Sequence, residues 1–239
     1  VMRVSVCSSV FGLADVLTAQ PNTELHTDTR ITALNVTAKG WQLIDASQTT
    51  YGPFEQVILS TPAPQAHALL ADWEAELGAA CQAGEQRACW AGWAIFADPL
   101  PSIVGVAPDW QMARVAHPAL HIVSRNQTKP GRREQVESLS LLAQLDWSEA
   151  HLEQPADQVA HQLLAALQSL YPTTSPLPTP IEIGAHRWRY AQPASSYGHE
   201  YLYSESGLAL CGDSFRGGRV EDAWLSGHRL GEALIGRSV

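Results

Sequence analysis

The stretch of the chain best suited to chemistry is the segment Gly212–Gly227, which leads from an apolar run through a glycine-bearing loop into a helical pattern. Asp213 follows the run Leu208–Cys211 directly, and a carboxylate there can accept hydrogen bonds from ligand hydroxyl groups. Without a Cβ, Gly217 and Gly218 let the backbone approach a ligand closely. The N-terminus of the following helix carries about half a positive charge. The loop therefore predicts a cradle for an anionic or polar ligand, and a plain strand–turn–helix connection is the alternative.

Hydrolase and metal chemistry have weaker support. Ser214 follows a Gly-Asp pair and His228 lies close to Ser226, but the chain has no Gly-x-Ser-x-Gly elbow. A catalytic triad is defined by geometry rather than by spacing, so a serine hydrolase stays a secondary alternative. His117 and His121 are separated by a proline, and the 4 cysteines form no Cys-x-x-Cys pair. No metal site is predicted from these residues.

The composition indicates an acidic globular protein. The 239 residues include 24 Asp and Glu against 15 Lys and Arg, which gives a formal net charge of -9. A nucleic-acid-binding module would show a basic stripe and a membrane-surface protein a polybasic patch, so neither partner is predicted. No apolar run approaches the roughly 20 residues needed to cross a bilayer. The scattered cysteines are typical of reduced thiols, and we expect a cytoplasmic protein.

Hydrophobic periodicity predicts the elements that position the loop. Alternation with a period of two starts at Glu24 and, with a turn at Gly40, predicts a hairpin or short meander. A further turn is expected at Tyr51-Gly52-Pro53. The segments Gln56–Ser60 and Leu208–Cys211 are predicted to be strands buried on both faces.

The middle third of the chain predicts an antiparallel sheet, because consecutive strands follow one another at short spacing. Its predicted strands are Arg87–Ala97, Gln111–Ala116, His121–Arg125, Glu137–Leu145 and, after a helix, Ile181–Tyr190. Apolar residues at helical spacing predict the helices Ser9–Ala19, Gln65–Leu77, Pro155–Leu170 and Val220–Leu234.

The segment Gly212–Gly227 resembles the carboxyl-terminal FAD-binding motif of flavin-dependent amine oxidases, and most closely that of bacterial renalase-like NAD(P)/FAD-dependent oxidoreductases. The resemblance spans almost the whole chain, since other segments match in the same order: Tyr51–Phe54 with Val57–Gln65, Cys89–Ala91, Ser124–Arg132, Asp146–Leu152 and His186–Tyr190. Such proteins open with a Gly-x-Gly-x-x-Gly turn, which none of the 17 glycines forms. We therefore expect a truncated chain that begins past the first βαβ unit of a full-length relative.

The resemblance implies roles for residues of the loop. Asp213 would meet the ribityl chain of FAD, and Gly212 would allow a close approach. Backbone N–H groups of Gly218, Arg219 and Val220 would face the pyrimidine edge of the isoalloxazine, where the helix dipole stabilises negative charge near N1. The resemblance also implies cofactor contacts for residues outside this set. Ile31 would contact the adenine, and Thr61 and Pro62 would lie where the chain passes the cofactor. The remaining cofactor-binding candidates are Gly217 in the loop and Glu221, Ala223 and Trp224 in the helix.

Residues of a strand in the substrate domain are the catalytic candidates. By the same resemblance Arg187, Trp188 and Tyr190 would line the flavin face. Trp188 and Tyr190 share one face of the strand, and ordinary packing in a sheet core would produce the same pattern.

The resemblance implies an FAD-dependent oxidoreductase. A hydride would pass to flavin N5 from an amine or from a reduced nicotinamide-like substrate, with misreduced dihydronicotinamide isomers as the named class, and dioxygen would reoxidise the flavin. The alternative is a catalytically silent globule that binds small molecules or partners weakly.

The expected fold is mixed α/β, or α+β, with discontinuous domains. A partial FAD-binding, Rossmann-like layer would comprise residues 1–78 and 204–239, and an antiparallel-sheet substrate domain would comprise residues 79–203. A layer that lacks its first βαβ unit would expose a sheet edge, so a homo-oligomer formed through that edge is also expected.

Overall fold

The computed structural model describes residues 22–70, 72–103, 106–129, 131–132 and 136–236. The chain is mixed α/β with antiparallel sheets, which confirms the predicted fold class. One compact unit contains Ala88–Arg189, and the other contains His26–Arg87 together with Tyr190 and the residues that follow it. The domain boundaries expected from the sequence stay a prediction. The helix predicted at Ser9–Ala19 lies outside the described residues.

The strands and helices of the described chain follow in this order: β1 (Ile31–Thr37), β2 (Gly40–Asp45), β3 (Thr50–Phe54), β4 (Val57–Leu59), α1 (Ala63–Leu70), α2 (Ala75–Ala83), β5 (Gln86–Phe96), β6 (Met112–Arg114), β7 (Leu120–Arg125), β8 (Glu137–Ala143), α3 (Leu145–Ala150), α4 (Ala156–Gln168), β9 (Glu182–Pro193), β10 (Leu202–Tyr203), β11 (Leu208–Leu210) and α5 (Val220–Ile235). Each strand predicted in the middle third overlaps one of β5 to β9. Pro155–Leu170 and Val220–Leu234 correspond to α4 and α5, so these predictions are confirmed.

A parallel strand pair forms the centre of the unit that contains His26–Arg87. Leu208 of β11 pairs with Val57 of β4, and Leu210 pairs with Leu59, so both strands end at the same edge. β10 joins β11 in the antiparallel sense. Helices α1 and α2 cover one face of the pair, and the buried residues of this core include Val57, Leu59, Ala66, Leu70, Leu77, Leu208 and Leu210.

The antiparallel hairpin predicted around Gly40 is present as β1 and β2. Gly40 has φ +124°, and a Cβ at this position would lie 2.5 Å from the carbonyl oxygen of Phe54. Glycine is required here both by the backbone conformation and by the approach of β3. The turn expected at Tyr51-Gly52-Pro53 is wrong, because these residues lie within β3. β3 is an edge strand of the sheet β1-β2-β3, where a proline without an N–H removes no ladder hydrogen bond.

Two other expectations for this unit are wrong. Ile58 is 48% exposed rather than buried, because successive side chains of a strand point to opposite faces, and along β4 only the face that carries Val57 and Leu59 is buried in the described part of the chain. The single helix expected over Gln65–Leu77 is divided into α1 and α2. The chain turns between them because the N–H groups of Trp73 and Glu74 both donate to the carbonyl oxygen of Leu70. Association of copies through an exposed sheet edge stays a prediction.

The unit that contains Ala88–Arg189 is built on an antiparallel sheet with the strand order β6-β7-β8-β5-β9. Strand alternation sends one set of side chains into a core against α4, with fully buried members Phe96, Leu120, Leu139, Leu141, Val159 and Leu163. On this side Arg125 and Glu137 form a two-point ion pair, with Nε–Oε1 2.8 Å and Nη2–Oε2 2.7 Å. Large apolar side chains including Trp93, Leu142 and Trp188 stay exposed. Within the described residues no helix is long and apolar enough to cross a bilayer.

Candidate functional site

The predicted loop begins where β4 and β11 end side by side. The N–H of Cys211 donates to the carbonyl oxygen of Leu59 at 3.1 Å, so the chain segments that follow β4 and β11 begin side by side. Thr61 after β4 and Gly212 and Asp213 after β11 line one small cavity. Parallel strands present their carboxyl ends at the same edge of a sheet, where ligands bind in α/β folds. The structure therefore brings together three of the residues that the resemblance assigned to the cofactor.

Gly212 has a backbone conformation and an environment that suit close approach of a ligand. Its φ is +144°, a region that side-chain-bearing residues rarely adopt, and the nearest atom to a Cβ built there is the carbonyl oxygen of Ser60 at 3.9 Å. Its N–H donates to Ser226 Oγ at 3.0 Å, and Ser226 Oγ donates to the carbonyl oxygen of Glu200 at 2.6 Å. The fully buried Ser226 on α5 thus fixes the position of Gly212.

Replacement of Ser226 by alanine is expected to destabilise the protein by about 1–3 kcal/mol, because it leaves the Gly212 N–H and the Glu200 carbonyl without this partner. Denaturant unfolding of the variant and the wild type measures the difference. Ser47→Ala, which changes an exposed serine of the same compact unit, is the control and should unfold as the wild type does. Unfolding of Ser226→Ala at the wild-type midpoint would contradict the bracing role.

Asp213 lines the cavity, and its main chain organises the loop. Its carboxylate accepts a long hydrogen bond from Ser214 Oγ, at 3.4 Å, and Ser214 Oγ accepts one from Gln86 Nε2 at 2.9 Å. The carbonyl oxygen of Asp213 accepts from the N–H groups of Arg216, Gly217 and Gly218. Most of the acceptor capacity of this carboxylate is therefore available for hydroxyl groups of a ligand.

The backbone N–H groups of Gly218 and Arg219 have partners within the protein. The N–H of Gly218 donates to the carbonyl oxygen of Asp213 at 3.2 Å, and that of Arg219 donates to Asp222 Oδ2 at 3.1 Å. The contact of these two N–H groups with the isoalloxazine, which the resemblance implies, stays a prediction. Val220 is the first residue of α5, and an N–H in the first turn has no acceptor within its own helix.

Asp222 takes part in a capping box at the N-terminus of α5, and its carboxylate is almost fully buried. It accepts from the Arg219 N–H and from Arg219 Nε at 2.9 Å. The hydrogen bond from the Arg219 side chain is the main reason why the pKa of Asp222 lies below the ordinary aspartate value of 3.8. Gly217 packs against this carboxylate, since a Cβ there would lie 3.1 Å from Oδ2.

Asp222→Asn is expected to lower stability near pH 7 and to lose this effect in acid. A carboxyl group whose pKa is depressed in the folded state stabilises that state above its unfolded pKa, and the contribution disappears as the pH falls through the folded pKa. The difference in Tm between wild type and variant should therefore close below a pH of about 3.8. Thermal unfolding across a pH series measures it, and a difference independent of pH would contradict the charge-based account.

The other cofactor candidates lie outside the cavity lining. Glu221 and Trp224 are exposed on α5, where Trp224 stacks on His228 with centroids 4.9 Å apart, and Ala223 is half-buried. The carbonyl oxygen of Pro62 accepts hydrogen bonds from the N–H groups of Gln65 and Ala66 in the first turn of α1. Ile31 begins β1 and pairs with Asp45. The cofactor contacts assigned to these residues by resemblance stay predictions.

The catalytic candidates lie on β9. Arg187 Nη1 donates to the carbonyl oxygen of Leu152 at 2.7 Å and pairs with Glu153 at 2.8 Å. Trp188 is 54% exposed and Tyr190 is 39% exposed, so packing in a sheet core, the alternative for these two aromatic residues, is wrong. Their roles toward a flavin stay predictions.

The hydrolase alternative has no geometric support in the part of the chain that the structure describes. Ser214 bonds Gln86 and Asp213, and Ser226 bonds backbone groups, so neither serine pairs with a histidine there. His228 stacks on Trp224 instead. No group of three or more His, Cys, Asp or Glu side chains could hold a metal ion among the described residues. Burial raises the pKa of the Cys81 thiol to about 11, which keeps it protonated at neutral pH.

Sequence reasoning missed three side chains around this cavity. Gln86 begins β5, Ser226 lies on the inner face of α5, and Tyr197 lies in an irregular segment with no periodic pattern. The hydroxyl of Tyr197 is buried, and no hydrogen-bond partner reaches it from the described residues. An unpaired buried donor, a carboxylate acceptor and a glycine with open space above it fit a polyol chain such as the ribityl group of FAD.

Comparisons with known proteins identify the family and support the fold. A sequence profile of the family described as "Flavin containing amine oxidoreductase" matches residues 12–235. A solved structure of a putative protoporphyrinogen oxidase from Exiguobacterium sp. 255-15 is similar at 17% identity with a TM-score of 0.67, over 94% of this chain and 50% of that one. Wild-type putrescine oxidase bound to putrescine is similar at 12% identity with a TM-score of 0.65, over 95% of this chain and 51% of that one.

An oxidoreductase from Methanosarcina mazei is also similar in structure, at 14% identity with a TM-score of 0.58 over 87% of this chain and 50% of that one. At these identities the likeness concerns the fold. The chain spans about half the length of these solved structures.

Proposed function

This chain belongs to the flavin containing amine oxidoreductase family, and on that premise we propose that it carries the ribityl and isoalloxazine side of an FAD site in a flavin-dependent oxidoreductase. The single observation that carries the proposal is the convergence of Thr61, Gly212 and Asp213 on one cavity at the carboxyl ends of β4 and β11. The family is flavin-containing, and these are polar and glycine residues at the edge where α/β sheets bind ligands.

The residues of the loop and of the start of α5 would make different contacts with the cofactor. Asp213 would accept hydrogen bonds from ribityl hydroxyl groups, and Gly212 would let the ligand approach the backbone. The start of α5, with the first-turn N–H of Val220, would place a partial positive charge beside the ring. Bound FAD would supply the acceptor for a hydride and the route of electrons to dioxygen.

The substrate is proposed to be a small reduced molecule of the nicotinamide type, with an amine as the alternative. Trp188 and Tyr190 support this class, since an exposed indole or phenol offers a flat apolar face on which a planar dihydronicotinamide ring can stack. Arg187 forms an ion pair with Glu153. Its proposed role is indirect, because it would help to position β9. An amine substrate has support from putrescine oxidase among the similar structures. The cytoplasmic location belongs to this proposal as well.

Titration of the purified protein with FAD tests the proposal. A flavin that stays bound after gel filtration gives an absorption band near ~450 nm, and binding to the folded state raises the Tm as the free FAD concentration increases above the dissociation constant. We expect both signals, followed by anaerobic bleaching on addition of dihydronicotinamide isomers and recovery of the band in air. A colourless protein with an unchanged Tm would favour the silent globule. Bleaching by amines alone would move the substrate class to amines.

A further inference from the structure

The hydroxyl group of Tyr197 lies in a position that the surrounding chain holds rigidly. The N–H of Tyr197 donates to the carbonyl oxygen of Ser214 at 3.0 Å, and its ring packs on Phe215 with centroids 4.9 Å apart. The third neighbour is Gly84, where a Cβ would lie 1.9 Å from the Tyr197 hydroxyl oxygen. Only glycine at this position leaves room for that oxygen.

The same hydroxyl is buried and lacks an acceptor among residues 22–236 that the structure describes. Buried polar groups in folded proteins nearly always have a hydrogen-bond partner, so an unpaired hydroxyl in a rigid setting needs an explanation. Tyr197 lines the cavity that also includes Thr61, Gly212 and Asp213. The missing acceptor would therefore be met by a ligand in that cavity.

The electrostatics of the cavity define what this hydroxyl can do. Burial, with additional effects from Cys81 and Asp213, raises the pKa of Tyr197 to about 12. The phenol keeps its proton at neutral pH and can donate, while the Asp213 carboxylate can only accept. A donor and an acceptor on one cavity wall match a chain of hydroxyl groups, because each hydroxyl both donates and accepts.

We propose that Tyr197 is a ligand-binding residue of this site, and that its hydroxyl donates a hydrogen bond to a ribityl hydroxyl oxygen of the bound flavin beside the one that Asp213 accepts. This inference rests on the proposed function and adds a contact that the sequence pattern did not indicate. The chemical class recognised at this point is a polyol rather than a phosphate or an aromatic ring.

Tyr197→Phe tests the inference, because it removes one oxygen atom and keeps the ring. Dissociation constants are measured by fluorescence titration with FAD, with riboflavin, which has the ribityl chain but no phosphate, and with lumiflavin, which lacks the chain. We expect affinity for FAD and riboflavin to fall about tenfold and affinity for lumiflavin to stay unchanged. The Tm without ligand should stay equal or rise, since the variant no longer buries an unpaired hydroxyl.

Tyr201→Phe is the matched control, since it makes the same change in a tyrosine outside the cavity lining, and it should leave every affinity unchanged. Equal riboflavin affinity in Tyr197→Phe and wild type would overturn the inference and leave the proposed function intact. A loss confined to FAD would assign the hydroxyl to a phosphate oxygen, and an equal loss for lumiflavin would indicate ring packing. Either result overturns the ribityl contact. A wild type that binds none of the three flavins would overturn the proposed function together with the inference.

Discussion

Replacement of Asp213 by alanine is expected to weaken FAD binding by roughly 10- to 150-fold, the equivalent of losing hydrogen bonds to a charged group at about 1.5–3 kcal/mol. Asp213 lines the cavity, and the hydrogen bond of its carboxylate to a side chain of the protein is the long one from Ser214 at 3.4 Å. Its removal should therefore reduce binding much more than folding. FAD titrations followed by fluorescence, together with the Tm of the ligand-free protein, separate the two effects.

Asp98→Ala provides the control for the change in net charge, because Asp98 is exposed in the other compact unit. It should bind FAD as the wild type does. Asp213→Asn is a second informative variant, since it keeps one oxygen acceptor without the charge and should fall between wild type and Asp213→Ala. Unchanged FAD affinity in Asp213→Ala, at unchanged Tm, would show that the carboxylate does not contact the ligand.

Arg125→Met is expected to destabilise the protein by about 3–5 kcal/mol, because it leaves a buried carboxylate without its cationic partner. The side chain of Glu137 is 6% exposed and that of Arg125 is 16% exposed. Arg125 also donates to the carbonyl oxygen of Pro108 at 2.9 Å and lies over the Trp110 ring at 5.4 Å. Both short hydrogen bonds of the ion pair are lost together. Chemical denaturation monitored by tryptophan fluorescence measures the loss.

The double variant Arg125→Met with Glu137→Leu distinguishes a lost charge pair from a general loss of packing. Replacing a buried ion pair by apolar residues of similar volume is often neutral, so much of the stability should return in the double variant. Arg114→Met, which removes an exposed arginine from β6, should have a small effect. If the double variant is less stable than Arg125→Met, the account based on an uncompensated buried charge fails.

Local patterns in the sequence were sufficient for most elements because periodicity and turn residues act over short separations. The hairpin around Gly40, the helix α4 behind Pro155 and the strand at Leu208 are each encoded by neighbouring residues. The same reasoning failed at Ile58, whose apolar run predicts burial on both faces. Exposure of that residue depends on whether another element covers the second face of β4, and a local pattern does not contain this information.

The candidate site shows the same division. A Gly-Asp pair after a buried strand, followed by a helix, predicted a candidate site from the local pattern, and the family resemblance added Thr61 and Gly212 to it. The hydrogen bonds of Gly218 and Arg219 within the protein, the hydrogen bond from Gly212 to Ser226 and the position of Tyr197 in the cavity lining are seen in the folded chain alone. Residues distant in the chain become neighbours there through parallel strand pairing and helix packing. The direction of each hydrogen-bonding group depends on those neighbours.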